Sequence, residues 1–261
     1  MFWTRVATSV VLAPVALGAV YYGFPVFQLF VAAMAAAVMW EFIHIVGKAG
    51  FPPRAVLALW STIGAVGLAA GNMPLALAVI AVVWLILLAT DQRGDRVRFA
   101  STQTALLYAA IPAVCLVFVR ELGGAETVFW VLAVVWATDI GAYFVGRLVG
   151  GPKLASSISP YKTWSGAIGG AVSAVVAAIG LAIVIGVSPS LLSVALAFLL
   201  STTSQVGDLI ESRFKRVHGV KDSGTWMPGH GGVMDRVDGL WAVTPFAAFI
   251  CAALQGGMSS W

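Results

Sequence analysis

Apolar residues run along this chain in nine long stretches, at 5–23, 25–46, 55–71, 73–90, 103–120, 126–149, 164–186, 190–211 and 235–254. Each is close to the roughly 20 residues a helix needs to cross the hydrocarbon of a bilayer. The breaks between them carry Gly, Pro or charge, as in GKAGFPPR (47–54), GNMP (71–74) and DQRGDRVR (91–98). A further short break is YYGFP at 21–25. The pattern predicts an all-α fold, a polytopic membrane helix bundle of about nine transmembrane helices. No internal repeat is visible. Residues 6–20 also fit the apolar core of a secretory signal, but further spans follow and no long polar segment needs export, so an uncleaved first span is expected.

Composition sharpens this picture. The chain is 60% hydrophobic and 10% charged, with a mean hydropathy of +0.96. A soluble domain is nearer 45–50% apolar and about 25% charged, so a water-soluble globular protein is excluded. The net charge of +4 is explained by where the basic residues fall, and no nucleic-acid partner is expected. With the N-terminus in the cytoplasm and the C-terminus outside, 14 of the 15 basic residues lie on cytoplasmic segments, and Arg120 is the exception. Cys115 and Cys251 each sit inside an apolar run and read as small hydrophobes.

The remaining charge is concentrated. Ionisable residues in or beside spans are costly and mark candidate sites. Asp139, Asp208, Glu211, Asp235 and Asp238 all fall at the cytoplasmic level that the basic residues define. In WATDIGAYFVGR (136–147), Asp139, Tyr143 and Arg147 share one helix face, which suits either a polar cavity or an intrahelical ladder. In the loop GGPKLASSISPYKTWSGAIGG (150–170), Ser159, Lys162 and Thr163 precede a helix N-terminus, a setting that favours an anion, although a basic loop residue also serves as a topology signal. Gln205, Asp208 and Ser212 share one face of the next helix, and so do Asp208, Glu211 and Lys215. A snorkelling helix end accounts for Lys215 and Arg216 but not for Asp208 behind them. Further on, PGHGG (228–232) permits close backbone approach to a ligand, and His230 also fits a plain turn residue. Asp235 and Asp238 lie one helical turn apart, as an acid–base pair or as metal ligands. Oxygen ligands beside basic groups suit Mg²⁺ with phosphates; zinc would want more Cys and His.

The stretch SRFKRVHGVKDSGTWMPGHGGVMDRVD (212–238) closely resembles the long motif of phosphatidate cytidylyltransferases, through Ser212, Lys215, Arg216, Lys221, Asp222, Gly224, Pro228, His230, Gly231, Gly232, Asp235, Arg236 and Asp238. DIGAYFVGRLVG (139–150) and SPYKTWSG (159–166) resemble a second region of the same family. The resemblance is specific over 139–241, and the first hundred residues share only a run of spans. Met227 departs from the family's usual Leu, Ile or Phe, and Ser165 stands where a polar acid or amide is common.

The resemblance implies that CTP and phosphatidate are converted to CDP-diacylglycerol and pyrophosphate, with Mg²⁺ and a second cation as cofactors. It implies catalytic roles for Asp208, Asp235, Lys221 and Arg236, and metal binding by Asp208 and Asp235, then Asp238 and Asp139. Ser159, Lys162, Thr163, Lys215, Arg216, His230, Gly231 and Gly232 are the expected substrate contacts. The expected organisation is a set of N-terminal transmembrane helices at 1–102 and a catalytic region at 103–261, with a polar cavity open to the cytoplasm. The expected setting is a homodimer in a bacterial inner membrane. A CTP-dependent lipid kinase, or a cytidylyltransferase for another lipid phosphate, is the neighbouring alternative. A transporter is disfavoured because its acids would gather near the midplane between repeats.

Overall fold

The computed structural model describes residues 2–47, 52–90, 96–227 and 231–261. His230, among the expected substrate contacts, lies outside the described residues, as do the centres of the polar breaks after Gly47 and Thr90. The helices are α1 (Phe2–Tyr22), α2 (Val26–Gly47), α3 (Pro53–Ala69), α4 (Met73–Ala89), α5 (Arg96–Val149), α6 (Trp164–Ile185), α7 (Leu191–Val217) and α8 (Met234–Leu254). Two short strands, β1 (Lys153–Ala155) and β2 (Ser159–Thr163), stand between α5 and α6. The fold is all-α, as expected. Among the described residues, five helical segments are long and apolar enough to cross a membrane: α2, residues 102–149 of α5, α6, α7 and α8. Residues 10–22, α3 and α4 are shorter apolar helices.

Local sequence explains the helix ends. Pro52 and Pro53 open α3, where a missing N–H costs nothing. Asn72 caps α4 by accepting from the Leu75 N–H at 2.9 Å. The Thr163 hydroxyl caps α6 by accepting from the Gly166 N–H at 3.1 Å, and Gly186 closes the same helix with φ 83°.

Three sequence expectations are modified. The break expected between 103–120 and 126–149 is helical except at Gly124, whose φ 78° and ψ 174° lie outside the helical region. Fifty-four residues at about 1.5 Å each would span roughly 80 Å, far more than the ~30 Å hydrocarbon thickness. The glycine interruption therefore separates two helical pieces within α5. The segment read as a loop before α6 is an antiparallel hairpin, pairing Lys153 with Thr163 and Ala155 with Ser159. Pro160 is tolerated there because a two-stranded sheet has only edges. The apolar stretch ending at 211 continues as helix to Val217, which places Glu211 and Lys215 on regular backbone.

The chain divides into two compact units, residues 1–121 with 218–237, and 122–217 with 238–261. The first contains α1 to α4 and the N-terminal piece of α5. Its core is small and apolar: Val31, Ala35, Val38 and Met39 of α2, Ala58, Ala65 and Val66 of α3, and Leu106, Ala110 and Val117 of α5 are all fully buried. Small residues at such contacts let helices associate by close packing where lipid removes the hydrophobic drive. The second unit contains the rest of α5, the hairpin, α6, α7 and most of α8. A Cβ on Gly166 would lie 2.8 Å from the Ala142 carbonyl oxygen, and one on Gly170 would lie 2.8 Å from that of Thr138, so α6 crosses α5 with backbones in contact. The buried Thr138 hydroxyl meets Ser201 Oγ of α7 at 2.8 Å.

Candidate functional site

The first unit carries Asp235 at the head of α8, bonded to Ser223 and Gly232. One carboxylate oxygen, Oδ2, accepts from the Ser223 N–H at 2.8 Å, the Ser223 hydroxyl at 2.9 Å and the Gly232 N–H at 2.9 Å. The Met227 N–H donates to the Gly231 carbonyl at 3.0 Å, closing the segment at its base. Gly231 has φ 81°, a conformation that side chains disfavour. A Cβ there would also lie 2.7 Å from Asp235 Oδ2. Within this unit the glycine pair makes room for carboxylates.

That carboxylate has a neighbour the sequence reading missed. Glu41 of α2 is buried and accepts from the Val233 N–H, the Met234 N–H and the Ser223 hydroxyl, each at 2.8 Å. Burying a carboxylate costs several kcal/mol, roughly, unless donors surround it. Here the donors come from the N-terminus of α8, whose dipole adds about 0.3–2 kcal/mol of attraction. Gly232 packs against Glu41 so tightly that a Cβ would overlap its carboxylate, and a Cβ on Gly224 would come within 2.7 Å of Glu41 Oε1. The signal was available: Glu41 is a lone acid inside VMWEFIHIV, and an ionisable residue within a span is a candidate by default.

The second unit gathers the other acids. Asp208 on α7 is bonded by Lys162 of β2 and accepts from Ser212 Oγ at 3.2 Å one turn on. Glu211 and Lys215 form a buried ion pair at 3.0 Å. Asp238 of α8 lies within electrostatic reach of Asp208, Glu211 and Asp139. The close approach of α7 and α8 makes this possible: a Cβ on Gly207 would clash with Ala242, and one on Gly239 would clash with Ser204 Oγ. Asp208, Glu211 and Asp238 thus lie near one another beside the two bonded lysines. Among the described residues, no three His, Cys, Asp or Glu side chains form a ready-made metal cage. Mg²⁺ commonly takes only one or two carboxylates, with water and substrate phosphates filling the rest, so the Asp208–Asp238 neighbourhood fits it.

The other expected site residues are distributed as follows. Asp139 is exposed on α5, and Arg147 of its face donates to Tyr143 Oη at 2.9 Å. Thr163 is buried, with its oxygen engaged as the cap of α6, and Ser159 is half-buried in β2. Ser165 bonds the Gly150 carbonyl and Thr163 Oγ1, pinning the hairpin base to the helix start. Arg216, Lys221 and Arg236 are exposed. Asp235 and Asp238 occur one turn apart on α8.

Comparison with known proteins follows this geometry. A sequence model described as the cytidylyltransferase family matches residues 3–254. A phosphatidate cytidylyltransferase of Brucella suis is 40% identical over 241 residues, covering 91% of this chain and 88% of that one. One from Bacillus subtilis is 33% identical over 95% of this chain and 97% of its own length. One from Pseudomonas aeruginosa is 35% identical over 98% and 99%.

Proposed function

Because the chain belongs to the cytidylyltransferase family, we propose that it transfers the cytidylyl group of CTP to phosphatidate, giving CDP-diacylglycerol and pyrophosphate. The phosphatidate oxygen forms a bond to the α-phosphorus of CTP, the bond to the β-phosphate oxygen breaks, and pyrophosphate leaves. The observation that carries the reading is the gathering of Asp208, Glu211 and Asp238 beside Lys162 and Lys215, in a chain that aligns with relatives of this name along nearly its whole length.

The chemistry asks little of a base. A phosphate monoester has its second pKa near ~6, so the attacking oxygen is already largely ionised. Alignment and charge neutralisation remain, and these dominate phosphoryl-type transfer. Lys162 sits where it can exchange its bond to Asp208 for a phosphate oxygen. Asp208 and Asp238 are the residues that would hold Mg²⁺, with Asp235 fixed one turn before Asp238. When bound, the ion would neutralise phosphate charge and help align the two substrates. Arg216, Lys221 and Arg236 are exposed cations suited to the triphosphate and the leaving pyrophosphate.

Nine spans, with the N-terminus in the cytoplasm and the C-terminus outside, suit the basic-residue distribution and put the acids on the side where CTP is available. A bacterial inner membrane and a homodimer complete the proposal. The test supplies purified protein with radiolabelled CTP and a panel of lipid phosphates and polyprenols, with and without Mg²⁺. CDP-diacylglycerol from phosphatidate is expected. Label transferred only as a phosphate to an alcohol would replace the reading with a lipid kinase.

A further inference from the structure

We infer that Glu41, on a helix distant in sequence from the motif, is a positioning residue that sets the carboxylate of Asp235. The inference rests on the reading of Asp235 as a site residue. Both Glu41 oxygens are engaged: Oε1 by the Val233 N–H, and Oε2 by the Met234 N–H and the Ser223 hydroxyl. Glu41 is therefore placed to organise rather than to touch substrate. Ser223 is the coupling element. Its single hydroxyl hydrogen faces two acceptors, Glu41 Oε2 at 2.8 Å and Asp235 Oδ2 at 2.9 Å, while its N–H is committed to Asp235. Gly232 is the second coupling element. Its N–H donates to Asp235, and its α-carbon leaves no room for a methyl beside Glu41.

The two carboxylates thus share one backbone segment. Glu41 fixes the first residues of α8 and the 223–224 turn. Asp235, on the first turn of that helix, accepts from Ser223 and Gly232, which Glu41 places or packs against. This explains why the motif needs glycine at 224 and 232: the side chain those glycines accommodate belongs to α2. Replacing Glu41 by glutamine keeps the shape but turns an acceptor into an amide donor facing N–H and O–H donors. The segment must then shift, and Asp235 with it.

The experiment uses full-length protein in detergent or nanodiscs. In Glu41→Gln, the amides of Ser223 and Gly232, which donate to Asp235 and not to Glu41, should exchange hydrogen about tenfold faster. The kcat for CDP-diacylglycerol formation should fall about 10–100-fold, as for a misplacement of roughly 1 Å, with KM for CTP nearly unchanged. A second variant, Gly224→Ala, keeps the Glu41 charge but pushes on its Oε1, and should move both readouts in the same direction. It carries the test if Glu41→Gln does not fold. A lowered Tm with exchange at Ser223 and Gly232 and kcat both unchanged would reduce Glu41 to a fold residue and overturn the inference. Should the wild type prefer another lipid phosphate, the proposed reaction fails, but the exchange measurement still decides the role of Glu41.

Discussion

The two units hold their carboxylates in different ways. In the first, Asp235 and Glu41 accept mainly from backbone N–H groups and one serine. In the second, Asp208 and Glu211 are held by lysine side chains. A backbone donor cannot change partners without the fold moving, whereas an ammonium on a flexible four-carbon stem can. The first arrangement fixes a geometry. The second stores a cation that can leave its acid when a phosphate arrives. A transfer between two repelling anions needs both properties, a rigid reference and a mobile charge.

The largest expected effect breaks the rigid side. Asp235→Asn should lower turnover by about 10³-fold, on the scale of removing a preorganised electrostatic group, because an amide nitrogen would face donors that want an oxygen. The protein should still insert and elute as the wild type does on gel filtration. Normal turnover of this variant at saturating Mg²⁺ would show that the fixed carboxylate has no part in the reaction.

Within the second unit, the comparison predicts that the two lysines are not alike. Lys215 is buried against Glu211, so Lys215→Met should strand a buried carboxylate and cost about 3 kcal/mol of stability. Thermal unfolding in detergent measures this, and Glu211→Gln in the same background should recover part of the loss. A stability equal to wild type would mean the pair is not what holds that end of α7. Lys162 is partly exposed, and the role proposed for it is exchange from Asp208 to a phosphate. Lys162→Ala should raise KM for CTP or phosphatidate about tenfold, the value of roughly one charge-assisted hydrogen bond, with Tm almost unaffected. Kinetic constants within error of wild type would assign Lys162 to Asp208 alone.

Much of this was legible in sequence, for reasons of range. Apolar stretches report helices directly, and the contacts within one helix follow from spacing: Asp208 with Ser212, Glu211 with Lys215, and Tyr143 with Arg147 are each four residues apart and each bonded. Bonds across the fold carry no such period. Lys162 and Asp208 are 46 residues apart, and Glu41 and Ser223 are 182 apart. Gly232 was visible as a glycine, but what it makes room for depends on a helix nearly two hundred residues earlier. The hairpin at 153–163 was hidden for another reason. Pro152 and Pro160 rule out helix without choosing between loop and strand, and two short edge strands leave only a weak alternation to read.

The smallest prediction concerns the residue that joins β2 to α6. Thr163 follows Lys162 directly, and its hydroxyl is engaged within the fold: it accepts from the Gly166 N–H and meets Ser165 Oγ at 3.0 Å. It ends β2 and starts α6 in one residue, so the lysine before it is aimed by a cap. Thr163→Ala should cost about 1 kcal/mol, the usual value of a lost N-cap, and Thr163→Ser should restore most of it. If the threonine instead bound phosphate, Thr163→Ala would raise KM for CTP more than it lowered Tm, and Thr163→Val would match Thr163→Ala in KM. The cap assignment predicts a drop in Tm for both, with KM following only as far as Lys162 loses its direction. Measuring Tm and KM together on the three variants separates a residue that holds the helix from one that holds the nucleotide.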